Sequence, residues 1–150
     1  MGFWKKISDF LFGELIIIQD DVFGEMIDMG AAFECQKLFL ATGKEIVLHI
    51  EKVDGHVSEK QKNFVSSLDK NYDQFILKIK PILEKKIKEW IANFHIQNFK
   101  NEFILEFLSL PKMEDELFEW EIAFYADNDL QHSCLLTIKG NQVININIDG

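Results

Sequence analysis

Hydrophobic and polar positions follow two rhythms along the chain, and the changes between them divide it into three parts. Residues 15–52 and 102–150 hold short apolar runs rich in β-branched and aromatic side chains, which is typical of strands. Residues 58–94 instead repeat large apolar residues every three or four positions, which predicts helices. The order strands, helices, strands predicts an α+β fold, with helices packed on one face of an antiparallel sheet.

The first part predicts three strands, near 15–28, 31–40 and 44–52. The third of these runs alternates apolar and polar side chains, as expected for a sheet with one buried face. Gly24 is expected to mark a bulge or bend inside the first strand, and Gly30 to end that strand. The acidic pair that precedes Gly24, Asp20 and Asp21, is interpreted as solvated surface.

The middle part begins with a helix start signal. Ser58 is the expected N-cap, and Gln61 three residues later completes a capping box. We expect one helix at 58–69 and a second at 71–94, kinked or restarted at Pro81. The apolar stripe along these helices consists of Phe64, Leu68, Tyr72, Phe75, Ile79, Leu83, Ile87, Trp90 and Phe94.

The last part returns to strand texture and predicts four strands, within 102–110, 117–126, 132–140 and 142–148. The expected sheet therefore has about five to seven strands, in the order β-β-β-α-α-β-β-β-β. A short amphipathic helix is expected before it, at 3–12. The stripe should form the core between helices and sheet, with Trp90 and Trp120 both buried. Residues 1–150 are expected to form a single domain.

Composition restricts the classes of partner. The 16 basic residues are all lysine, and the formal net charge is −9. Without arginine forks, and with a net charge that repels phosphates, nucleic acid is not an expected partner. No apolar stretch is long enough to span a bilayer, so no membrane partner is expected and the cytoplasm is the expected location. Cys35 and Cys134 are expected to be buried free thiols.

Acidic charge concentrates near the end of the chain. The net charge is −4 over residues 1–50, +3 over 51–100 and −8 over 101–150. Residues 114–129 hold seven carboxylates and no lysine. Either this charge only keeps the protein soluble, or it forms a surface for a basic partner protein. The candidate partner-binding residues are Glu114, Asp115, Glu116, Glu119, Glu121, Asp127 and Asp129.

Catalytic motifs are scarce. The serines lie in no Gly-x-Ser-x-Gly turn, the glycines form no phosphate loop, and neither cysteine has a basic neighbour. Neither a metal nor another cofactor is expected. The alternative is a metal-dependent or small-ligand enzyme centred on Asp127, Asp129 and His132, although a loop rich in Asp and Asn also forms without metal.

Four segments resemble a bacterial family of small, uncharacterised acidic domains grouped with immunity proteins of polymorphic toxin systems. They are "DDVFGEMI", "FLATGKEIVLHIE", "DGHVSEKQKNFVSSLDKNYDQFILKI" and "EWEIAFYADNDLQHSCLLTIKG", which together cover about residues 20–145. The resemblance implies a non-enzymatic protein that neutralises a toxin by covering its active surface. A scaffold protein with another partner is the third possibility.

Overall fold

The computed structural model describes residues 15–128 and 130–149, so the helix expected at 3–12 lies outside the described residues. These residues form eight strands and three helices. The strands are β1 (Ile17–Asp20), β2 (Gly24–Asp28), β3 (Ala32–Phe39), β4 (Lys44–Glu51), β5 (Phe103–Leu110), β6 (Glu119–Ala126), β7 (Ser133–Lys139) and β8 (Gln142–Asp149). The helices are α1 (Glu59–Lys70), α2 (Tyr72–Ile87) and α3 (Phe99–Glu102).

All eight strands form one sheet, in which each strand lies beside its neighbours in the chain. The expected α+β class is confirmed, but the sheet is larger than five to seven strands and is not wholly antiparallel. β4 and β5 pair in parallel, while every other pair is antiparallel. The helices cause this difference, because they return the chain to the end of the sheet where β4 began. The sheet thus consists of two four-stranded meanders joined by one parallel pair.

The extra strand comes from the segment around Gly24. Instead of one bent strand at 15–28, the chain forms a hairpin of β1 and β2. The Asp20 side-chain oxygen accepts hydrogen bonds from the backbone N–H groups of Val22 and Phe23, each 2.8 Å long. Gly24 follows with a φ of +70°, which favours glycine. An aspartate that binds the backbone two residues on is a turn signal in its own right.

The helices begin as expected and end earlier. Ser58 and Gln61 form the predicted capping box at the start of α1. Pro81 lies inside α2 without ending it. The carbonyl of Leu77 loses its partner there, and Leu77 is 71% exposed, so water can take the hydrogen bond. The helix ends at Ile87 rather than at residue 94. Trp90 is consequently 56% exposed, and its predicted burial is wrong.

The core lies between the helices and one face of the sheet, as expected. Five of the stripe residues in the helices are buried together with alternate residues of the strands, namely Leu68, Tyr72, Ile79, Leu83 and Ile87. Trp120 is 4% exposed, which confirms its predicted burial. Among the helices of the two described ranges, none has the length and hydrophobicity needed to cross a bilayer.

One buried polar side chain holds the central joint of the sheet. Gln61 is fully buried, and its side-chain nitrogen donates to the carbonyl of Glu51 at 2.8 Å and to that of Pro111 at 2.9 Å. Its side-chain oxygen accepts from the N–H of Ser58 at 2.8 Å. Glu51 ends β4 and Pro111 follows β5, so Gln61 links the start of α1 to both parallel strands.

Candidate functional site

The predicted acidic residues fall at two separate places. Glu114, Asp115 and Glu116 lie in the loop between β5 and β6, and all three are exposed. Glu119 begins β6 and is also exposed. Glu114, Asp115 and Glu119 line one shallow depression, which Glu51 also lines. Glu116 does not line it. We call the loop from Glu114 to Glu116 the acidic loop.

The remaining acidic residues lie farther away. Glu121 is half-buried on the face of the sheet opposite the helices. Asp127 follows the last residue of β6, whereas the acidic loop precedes the first. A strand of eight residues is about 26 Å long, so the two lie far apart. Asp129 lies outside the described residues. The seven predicted residues therefore do not form one compact patch, and the acidic loop with Glu119 is the part that comes together.

The loop that carries the alternative metal site is held by bonds to the backbone. The N–H of Asp127 donates to the carbonyl of Glu102 at 2.7 Å, and Asn128 accepts from the N–H of Leu130 at 2.9 Å. A ring nitrogen of His132 lies 2.7 Å from the carbonyl of Gln131. Over residues 15–128 and 130–149, no three His, Cys, Asp or Glu side chains group in a way that could hold a metal ion.

Ion pairs are confined to one part of the molecule. In the described ranges, every one joins residues between Asp20 and Lys100. The described residues from 103 to 149 form none, although they carry eight carboxylates and two lysines. These carboxylates are Glu106, Glu114, Asp115, Glu116, Glu119, Glu121, Asp127 and Asp149. The described part of the second meander thus has a net negative charge, although Lys112 and Lys139 line the same depression as Glu114, Asp115 and Glu119.

The acidic pair at the first hairpin shows the opposite arrangement. Lys62 of α1 lies 3.3 Å from a carboxylate oxygen of Asp20 and 2.7 Å from one of Asp21. The hydrogen bond from Lys62 lowers the pKa of Asp21, and the bond to Asp21 raises the pKa of Lys62. This pair ties the first hairpin to α1, which is a structural role.

A cleft of about 260 Å³ opens between the helices and the second meander. Three aromatic rings form its wall. The ring centroid of Trp120 lies 4.9 Å from that of Phe64 and 5.6 Å from that of Phe75. The other lining residues are Ser67, Leu68, Asn71, Gln74, Lys78, Ile79, Ile82, Ile138, Gly140, Asn141 and Val143. An apolar wall with a polar rim is typical of binding sites.

The turn between β7 and β8 brings the cleft and the acidic loop together. Gly140 and Asn141 of this turn line the cleft. A side-chain methyl of Leu117, the residue after the acidic loop, lies 3.0 Å from the position that a Cβ of Gly140 would occupy. Leu117 is 64% exposed, so an apolar step connects the carboxylates with the aromatic wall. We call the acidic loop, Leu117 and the cleft the composite surface.

Both cysteines are free and buried, as expected. Burial raises the pKa of the Cys35 thiol to about 12 and that of the Cys134 thiol to about 11. The thiols are therefore protonated near neutral pH and unsuited to nucleophilic chemistry.

The cleft was not predicted from the sequence. Phe64 and Phe75 were expected as core positions of the helical stripe, and both are half-buried at the edge of the core. Helical spacing shows which face is apolar, but not how far the sheet covers that face. Comparisons with protein-family models, with curated proteins and with solved structures found no match for this chain.

Proposed function

We propose that this domain is a non-enzymatic binding protein whose composite surface docks on a basic partner protein. A toxin domain is the partner that the resemblance to immunity proteins implies. The observation that carries the proposal is the uneven distribution of ion pairs. The described part of the second meander carries eight carboxylates without an ion pair. The ion pairs of the described residues all lie between Asp20 and Lys100, in the first meander and the helical part.

Unpaired exposed carboxylates attract a basic protein over a distance. At physiological ionic strength the screening length is about 8 Å, so charges in the acidic loop act mainly on the final approach of the partner. Complementary charge at this stage raises the association rate more than it slows dissociation. Toxin domains that grip nucleic acid present such basic surfaces, and covering them blocks access to the substrate.

The cleft supplies what charge alone lacks. Interfaces owe most of their affinity to a few large side chains buried in pockets, surrounded by polar contacts. The aromatic wall of the cleft provides such a pocket, and Leu117 extends the apolar area towards the acidic loop. We place this binding in the cytoplasm, where the two buried thiols stay reduced.

The test uses the product of the gene next to that of this protein, purified as a candidate partner. The double variant Glu114→Lys/Glu116→Lys reverses charge in the acidic loop. The variant Glu25→Lys/Glu45→Lys makes the same change in net charge at two exposed positions of the first meander. Glu84 is unsuitable as a control, because its carboxylate accepts a 2.7 Å hydrogen bond from the N–H of Ile96.

Association rates are measured by stopped-flow fluorescence at several salt concentrations. We expect the acidic-loop variant to associate at least tenfold more slowly at low salt, and the control variant to change much less. Raising the salt should slow the wild type towards the acidic-loop variant. Unchanged rates, or equal slowing in both variants, would show that this surface does not dock the partner.

A further inference from the structure

The outer edge of β8 is open. β8 ends the order of the sheet, and no strand of the described ranges pairs with its outer side. Alternate N–H and C=O groups of such a strand point away from its one neighbour and can pair with another chain. The eight residues of β8 include no lysine and no proline, which commonly prevent such pairing. A bulge at Ile144 interrupts its pairing with β7, and the strand is regular from Asn145 to Asp149.

The open edge lies beside the cleft. Val143 of β8 pairs with Ile138 of β7, and both line the cleft. A strand added to β8 would lie about 4.8 Å beyond it, and its residue opposite Val143 would point to the same face of the sheet. On that face Ile82 of α2 lines the cleft and is 42% exposed. A side chain entering there would meet Val143 on one side and Ile82 on the other.

From this juxtaposition we propose that β8 and the cleft bind an extended, basic segment of a partner protein, which adds a ninth strand and places one large apolar side chain in the cleft. The inference rests on the proposed function, because it names the part of the partner that the composite surface receives. Backbone hydrogen bonds to β8 supply affinity, and the cleft selects the anchoring side chain.

The cleft has room for one large side chain. It measures about 260 Å³, near the lower end of the volumes of about 300 to 1,000 Å³ that are usual for small-molecule sites. One aromatic or large aliphatic residue therefore suits the space.

Charge favours a basic segment over a second copy of this chain. Two copies would each carry a formal net charge of −9 and repel one another. The start of β8 lies next to the acidic loop, through the approach of Leu117 to Gly140. Lys78 lines the cleft, and Lys139 pairs with Gln142 at the start of β8. The basic side chains of the segment are therefore expected away from both lysines, towards the carboxylates of the acidic loop.

The experiment uses fluorescein-labelled peptides of eight residues, alternating Lys and Val around a central Phe. A second peptide replaces the central Phe by Ala. Two further peptides carry N-methyl groups on alternate peptide bonds, one peptide along each edge of the strand. Anisotropy titration measures their affinity for the full chain. We expect the Phe peptide to bind, and both the Ala change and N-methylation on one of the two edges to weaken binding at least tenfold.

A matched pair of protein variants tests the place of binding. Ser67 and Ser66 are neighbours on α1 and are both exposed. Ser67 lines the cleft, whereas Ser66 lies on another side of the helix, near Leu38. Ser67→Trp should fill the mouth of the cleft and weaken the Phe peptide at least tenfold, while Ser66→Trp should bind it as the wild type does. Thermal melts of both variants establish that they fold.

Several results would overturn the inference. They are no binding of the Phe peptide, equal binding to both serine variants, and no effect of N-methylation along either edge. Dimerisation of the full chain, seen by sedimentation and not reversed by the Phe peptide, would assign the edge to a second copy. None of these results touches the charge-reversal test with the whole partner, so the proposed function can stand when the ninth strand fails.

Discussion

The two meanders of the sheet differ in strand length and in charge. In the first, β1 and β2 have four and five residues. Lys62 pairs with Asp20 and Asp21, Lys52 with Asp28 and His49, when protonated, with Glu34, whereas Glu25, Glu45 and Glu51 form no ion pair among the described residues. In the second, every strand has seven or eight residues and the described carboxylates form no ion pair. Ion pairs thus reinforce the short strands of the first meander, whereas the described part of the second meander relies on its longer strands.

The largest effect is expected where both meanders share the helix core. Leu83 of α2 is fully buried, so Leu83→Ala should lower the free energy of unfolding by about 2 to 5 kcal/mol. Ile82→Ala, at the next and partly exposed position, should lower it by less than about 1 kcal/mol. Urea melts followed by circular dichroism measure both. Two separate transitions would mean that the meanders are not one cooperative unit. A loss below about 0.5 kcal/mol for Leu83→Ala would mean that this face of α2 is exposed.

The next effect concerns the joint between the meanders. Gln61→Ala removes three side-chain hydrogen bonds and leaves the carbonyls of Glu51 and Pro111 without the donor that Gln61 supplies. We expect a loss of about 2 to 4 kcal/mol in unfolding free energy. Lys60→Ala, at an exposed neighbouring position, is the control. Hydrogen exchange should show faster exchange at the ends of β4 and β5. A loss of stability equal to that of Lys60→Ala would show that Gln61 does not link the two meanders.

A smaller effect, which depends on pH, is expected from the ion pair of Asp28 in the first meander. The hydrogen bond from Lys52, followed by that from the N–H of Gly30, lowers the pKa of Asp28 below its ordinary value of 3.8. The stabilisation is therefore present above that value and is lost as the pH falls through the lower pKa of the folded state. Asp28→Asn should cost at most about 1 kcal/mol at pH 7. The variant and the wild type should converge in melts at a pH below the folded-state pKa of Asp28, and a difference that persists there would contradict an ionic cause.

The smallest effect is expected in the second meander. Because its carboxylates repel one another, Glu114→Lys/Glu116→Lys should change the unfolding free energy by no more than about 0.5 kcal/mol, and in the stabilising direction. Salt should stabilise the wild type more than this variant, since screening relieves the same repulsion. Melting temperatures at low and high sodium chloride compare the two. A marked destabilisation would show that the acidic loop supports the fold.

Local signals predicted much of this fold. The capping box of Ser58 and Gln61 fixed the start of α1, and alternation located β4 and the four strands of the second meander. These features depend on side chains a few positions apart, where backbone geometry dictates the pattern.

Features that depend on distant contacts were not predicted. Alternation with a period of two is the same in parallel and antiparallel strands, so the pairing of β4 with β5 left no mark in either strand. Trp90 keeps the helical spacing, yet α2 ends before it, where the N–H of Trp90 bonds to the carbonyl of Ile87 and the chain turns back. The cleft joins residues from Phe64 to Val143, and only the folded chain brings them together.

The parallel pair of β4 and β5 also affects the order of folding. It joins Val47 to Phe107 across the helices, whereas every other pair of neighbouring strands is connected by a loop of eight residues or fewer. Closing a loop of this length delays the contact relative to hairpin formation, so each meander can form before the two meet. A chain cut between β4 and α1 would yield two fragments, each with its own meander. We expect those fragments to reassemble across the parallel pair when mixed, with α1 and α2 supplying the apolar surface that drives them together.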